Sequence, residues 1–162
     1  MFSPEPSGRT LLVGALTNVG AIAAGTAVYF ALPLGVFGKS GTWAFVALFA
    51  LGLALVSAAI VRQVRRFRSG AARLTGVLTS LYLAVLFFAA VYFGLSAHWP
   101  GSVVQLRTKV DALYFALSIT STVGFGDVHA AGQLPRAVVG VHLMFNLGFL
   151  GVAVHAVRSA RC

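Results

Sequence analysis

Four apolar runs, at residues 11–32, 43–61, 74–95 and 137–157, decide most of what this 162-residue chain can become. A bilayer core takes roughly 20 apolar residues as a helix, and each run reaches or nears that length. Backbone inside lipid must satisfy its own polar groups, so runs of this length are helices. Only 9% of the residues are charged, against about a quarter in soluble domains, so little chain is left for a soluble unit. The expectation is an all-α membrane protein with four transmembrane helices. The first run exceeds the roughly 7–15 apolar residues of a signal peptide and is read as a retained span.

The formal net charge is +9, and where the charges fall speaks to topology rather than to nucleic acid. Arg9 precedes the first run, Arg62, Arg65, Arg66, Arg68 and Arg73 crowd the connection between the second and third, and Arg158 and Arg161 follow the fourth. The opposite side holds Lys39, Arg107, Lys109 and Arg136, together with Asp111 and Asp127. Cytoplasmic loops collect Lys and Arg, which assigns both termini and the Arg-rich connector to the cytoplasm of a multi-pass cell-membrane protein. Arg62, Arg65 and Arg68 recur at every third position, as in a voltage-sensing helix. A sensor needs its arginines inside the field. These follow the apolar run instead of interrupting it, and the first two runs hold no Asp or Glu. Arg62, Arg65, Arg66 and Arg68 are therefore read as an anchor for anionic lipid headgroups. Small residues (Gly14, Ala21, Gly25; Ala50, Ala54, Ala58) repeat through the first two runs at spacings that suit close helix packing, giving a two-helix hairpin. The single cysteine, Cys162, has no partner to staple, and no metal-ligand spacing occurs.

Residues 96–136 are neither a tight turn nor a full span. Residues 111–120 are apolar and helix-compatible but cannot cross, the length of a re-entrant helix. The next stretch, Thr122 to Asp127, is broken by glycines, and non-helical backbone at membrane depth is tolerated only where protein, water or ions meet it. Gly124 and Gly126 can adopt backbone angles closed to other residues. The stretch can thus point consecutive carbonyls at one axis. Four copies would stack rings of oxygen in place of the water shell of a monovalent cation, with the Thr122 hydroxyl adding a further ring. The helix before it would aim its partly negative C-terminal end at the ion.

The string "TSTVGFGD", residues 120–127, resembles the signature of potassium channel pores, and the similarity covers residues 74–157 as outer helix, pore helix, filter and inner helix. That resemblance implies K⁺ sites at the carbonyls of Thr122, Val123, Gly124 and Phe125, with Gly126 closing the outer mouth and Asp127 behind it. One motif per chain implies three further identical subunits. The sequence departs from the family at the filter support. The pair that resembles the family's bracing tryptophans is Tyr114 and Phe115, Phe125 stands at the filter tyrosine, and Ser118 replaces a supporting glutamate. Tyr114 is expected to donate to Asp127.

Registering the last run on the family puts Leu147, Leu150 and Val154 on the cavity face, as a candidate apolar gate, and Asn146 where a hinge glycine often sits. Gly148 and Gly151 offer a bend nearby. For Asn146 two roles stay open, an interhelical hydrogen bond and a cavity-facing group. His129, two residues beyond Asp127, is a candidate proton-sensing group at the outer mouth.

The expected division is a flexible cytoplasmic head (1–10), a transmembrane hairpin (11–61), the Arg-rich connector (62–73), a pore domain (74–157) and a cytoplasmic tail (158–162). Within the pore domain the outer helix is 74–95, the pore helix about 110–121, the filter 122–127 and the inner helix 136–157. The function expected is passive K⁺ conduction without a cofactor or enzymatic chemistry. Alternatives are a weakly selective cation channel, a potassium uptake transporter subunit and a non-conducting scaffold.

Overall fold

The computed structural model of the chain describes residues 8–33, 42–66 and 70–158. Arg68, most of the head, most of the first outer turn and residues 159–162 lie outside the described residues. The elements run α1 (Gly8–Ala31), α2 (Thr42–Arg66), α3 (Gly70–His98), β1 (Val103–Val104), α4 (Lys109–Thr120), β2 (His129–Ala130) and α5 (Gln133–Arg158). The segments Thr75–His98 and Gln133–Gly151 are long and apolar enough to cross a bilayer, with mean hydropathies of 2.1 and 1.3. α1 and α2 carry shorter apolar stretches, Leu16–Ala31 and Ala44–Ala58.

α3 is the element on which the others are built. Phe88, Ala89, Tyr92 and Leu95 are fully buried on it. α4 lies against α3 through Ala112, Phe115, Ala116 and Ile119, and alanines at the contact let the two backbones approach closely. α1 and α2 each pack on α3, and among the described residues that contact exceeds any between the two of them. The expected two-helix hairpin is thus a pair of helices docked separately on α3. In α2 the contact face is Phe45, Phe49 and Gly52. Ala50, Ala54 and Ala58, expected to pack, are exposed. The Phe87 ring sits where a Cβ on Gly52 would be, and stacks on Phe49 with centroids 6.0 Å apart. On α1 the expectation for Gly25 holds, since Leu83 of α3 comes within 2.7 Å of where its Cβ would stand.

α1 also reaches the start of α4. The Tyr29 hydroxyl donates to the Lys109 carbonyl at 2.6 Å, and the Lys109 ammonium donates to the carbonyls of Phe30 and Leu32, each at 2.7 Å. The last carbonyls of a helix have no partner within it and carry partial negative charge, which a lysine ammonium satisfies. One residue of α4 therefore caps α1.

Two features differ from the sequence expectation. The Arg-rich connector is not a loop: α2 continues through Arg62, Arg65 and Arg66, and α3 begins at Gly70. Arginine and glutamine are good helix formers and no proline intervenes, so the helix runs on past the apolar stretch. The second feature is an antiparallel ribbon, Val103 opposite Ala130 and Val104 opposite His129, which ties the chain before α4 to the chain after residue 127.

Candidate functional site

The site is the turn that leaves α4. A capping box fixes where that helix starts. Thr108 Oγ1 accepts from the Asp111 N–H at 3.1 Å, while Asp111 Oδ2 accepts from the N–H groups of Thr108 at 2.7 Å and Arg107 at 3.0 Å. These two backbone donors, Thr108 first, hold the Asp111 carboxyl below its ordinary range. Twelve residues later the helix ends, with Ser121 at its C-terminal cap.

There the backbone folds back on its own helix. The Ser118 carbonyl accepts from the N–H of Val123 at 3.1 Å and of Gly124 at 3.3 Å. In a trans peptide N–H and C=O point in opposite directions. Turning these two N–H groups onto Ser118 therefore turns the carbonyls of Thr122 and Val123 away from α4. Further along, φ alternates in sign: it is +60° at Thr122, +57° at Gly124 and +85° at Gly126, while Val123 and Phe125 lie outside the positive region. Alternation in the sign of φ gathers successive N–H groups on one side, as in backbone nests, and leaves the carbonyls on the other. Residues 121–127 are all exposed at the surface of the chain. Sequence reasoning anticipates the glycines but misses Thr122, whose β-branched side chain is costly to hold at positive φ.

The Ser118 side chain does not brace the turn as expected. It donates to the Phe115 carbonyl within α4 at 2.8 Å, so Ser118 contributes its backbone oxygen instead. Tyr114 and Phe115 face opposite ways. Phe115 is buried edge-on against Tyr92, with centroids 4.7 Å apart, whereas the Tyr114 ring stacks on Phe125 at 5.8 Å. Tyr114 lies outside the two spans, and its phenol is pushed above its usual value first by desolvation and then by a hydrogen bond to Asp127. Past Asp127, Val128 is buried, and the His129 Nδ1–H donates to the Gly126 carbonyl at 3.2 Å.

α5 runs as one helix through Asn146, Gly148 and Gly151. With the end of α4 and Leu81 of α3 it forms an open cavity of about 450 Å³, lined by Thr120 and Thr122 and by Leu143, Asn146, Leu147, Phe149, Leu150 and Ala153 of α5. Val154 is exposed on α5 but is not part of the wall. Asn146 makes the interhelical hydrogen bond expected of it and also faces the open cavity. Its Nδ2 donates to the Ile119 carbonyl at 3.4 Å while the residue also lines the cavity, and among the described residues its Oδ1 is a buried polar atom without a partner.

A family model described as ion channel matches residues 74–160, more than half of the chain and the whole of this site. The chain belongs to the ion channel family. In this ion channel the matched segment holds α3, α4, the glycine turn and α5, so the turn and the cavity that Thr122 lines sit inside the family's shared region. The channel is also similar to a protein of Arabidopsis thaliana named probable potassium channel AKT5, with 33% identity over 58 residues. That alignment takes in 36% of this chain and 6% of the plant protein. No solved structure matches.

Proposed function

We propose that the channel is a homotetramer that conducts K⁺ selectively and passively through carbonyl rings contributed by Thr122, Val123, Gly124 and Phe125. The observation that carries this reading is the pair of hydrogen bonds from Val123 and Gly124 to Ser118, which commits the adjoining carbonyls to the open side of the subunit. Selection among alkali cations then rests on replacing the water shell with fixed dipoles, so no charged side chain is needed. Gly126, with its carbonyl held by His129, ends the row, and Asp127 and Tyr114 support it from behind. The α4 C-terminus presents its partly negative end to an ion in the cavity. Leu147 and Leu150 give that cavity apolar walls that hold water and ion loosely, and Val154 continues the same face toward the cytoplasm as the gate. α1 and α2 complete four spans per subunit, both termini are cytoplasmic, and Arg62, Arg65, Arg66 and Arg68 meet anionic headgroups.

Purified protein in vesicles loaded with K⁺ should concentrate a radioactive K⁺ tracer and exclude Na⁺, with an intact complex of four chains. Equal uptake of both ions would favour the weakly selective channel. Tyr114→Phe keeps the ring stacked on Phe125 and removes the hydroxyl. With the bond to Asp127 gone, sustained current should decay faster than in wild type. An unchanged decay would mean that the Asp127 contact supports nothing in the filter.

A further inference from the structure

His142 on α5 is 1% exposed and touches both of the other helices that surround the filter turn, α3 and α4. Its Nδ1 lies 3.1 Å from the Tyr92 hydroxyl of α3, its Nε2 lies 3.1 Å from Thr120 Oγ1 at the end of α4, and its ring stacks flat on Phe88 with centroids 3.7 Å apart. Counting protons fixes the direction of each bond. A threonine hydroxyl has one hydrogen, and Thr120 gives it to the Ala116 carbonyl at 2.9 Å. Toward His142, Thr120 can then only accept, so Nε2 carries the imidazole proton. The neutral ring is left with a bare Nδ1, which accepts from Tyr92. The row reads Tyr92 to His142 to Thr120 to Ala116, and each hydrogen along it has an acceptor.

We infer that His142 is a positioning residue for the filter: mounted on Phe88 and Tyr92, it holds Thr120 and so sets the direction in which the chain enters Thr122, two residues on. The ring is pinned at both nitrogens and across one face, which leaves it no free rotation. Thr120 is the last residue of α4. A tilt of that turn moves the Ser118 carbonyl and the two N–H groups bonded to it, and with them the carbonyls of Thr122 and Val123. The inner end of the filter is thereby referred to α3 through an imidazole on α5. The outer end has its own support at Tyr114 and Asp127.

This inference rests on the proposed filter, and the test keeps the two apart. Wild-type and variant full-length channels are compared in planar bilayers with equal KCl on both sides, for open probability, and by thermal melting of the assembled complex. His142→Phe keeps the stack on Phe88 but strands the Tyr92 hydroxyl. Tyr92→Phe/His142→Phe removes both ends of that bond, and matched apolar replacement of two partners is close to neutral for stability. The double variant should melt like wild type and still show open probability lowered by about tenfold, because Thr120 is no longer held. Thr120→Val should give the same loss, and adding it to His142→Phe should cost nothing further, as expected for two members of one contact. Recovery of both melting and open probability in the double variant, or wild-type gating in Thr120→Val, would make His142 an ordinary core residue. A wild type with equal Na⁺ and K⁺ permeability overturns the selective reading instead, while the open-probability comparison still decides the role of His142.

Discussion

Gly124→Ala should abolish K⁺-selective current while leaving the helical content and the assembly of the protein intact. Gly124 stands at φ +57°, and nothing lies within 4 Å of where its Cβ would be. The penalty is therefore one of backbone and not of collision. Holding an alanine in the left-handed region costs roughly 1–2 kcal/mol, and in the proposed tetramer the four copies would bring the total to roughly 4–8 kcal/mol. The chain can escape that cost by returning φ to negative values. Doing so breaks the alternation from Thr122 to Gly126 and swings a carbonyl out of its row. Gly101 provides a control, because it too sits at positive φ, +82°, with open space around it, but in the loop before β1. Gly101→Ala carries similar local strain and should leave selectivity unchanged. Loss of selective current in both variants would point to general destabilisation, and selective current in Gly124→Ala would contradict the carbonyl filter.

The second large effect is expected at Phe88, which is fully buried and joins the helices around the pore. Its ring meets Phe49 of α2 at 6.4 Å, Phe145 of α5 at 5.5 Å and the face of His142 at 3.7 Å. Phe88→Ala removes those contacts together. In a soluble core such a change costs about 3–5 kcal/mol, as lost transfer energy plus a cavity. Helices in lipid gain little from transfer, so the cavity part dominates and the lower end, about 3 kcal/mol per subunit, is expected. The readout is the denaturant or thermal midpoint of the detergent-solubilised complex. Phe88→Leu should recover most of the loss by refilling the space. A midpoint unmoved in Phe88→Ala would mean that α3 is not the centre of the packing.

Much of this fold is legible in the sequence, and for identifiable reasons. The length and apolarity of residues 74–95 and 137–157 require helices, and both are spans by length and hydropathy. Residues 111–120 are too short to cross, and a helix of that kind forms, from Lys109 to Thr120. The glycines at 124 and 126 announce unusual backbone, and both have positive φ. What the sequence hides is which atom of a residue acts. Ser118 reads as a side-chain support, yet its backbone oxygen holds the turn. For His142, only the fold brings Tyr92, fifty positions away, and Thr120 to its two nitrogens. The spacing from 142 to 146 is one helical turn, which places both residues against the end of α4, and this is the one sequence signal of the His142 contact. The ribbon of Val103–Val104 with His129–Ala130 is two residues long on each side and has no periodicity to read. The docking of α1 and α2 on α3 depends on shape, in particular on the Phe87 ring at Gly52, and small-residue spacing alone does not mark the face of α2 that meets α3.

The most direct test of a K⁺-selective carbonyl filter is the reversal potential of purified protein in a planar bilayer with KCl on one side and NaCl on the other. A strongly K⁺-selective wild type gives a reversal potential displaced far from zero, toward the value for K⁺ alone. A reversal at zero, with Na⁺ and K⁺ equally permeant, would contradict it.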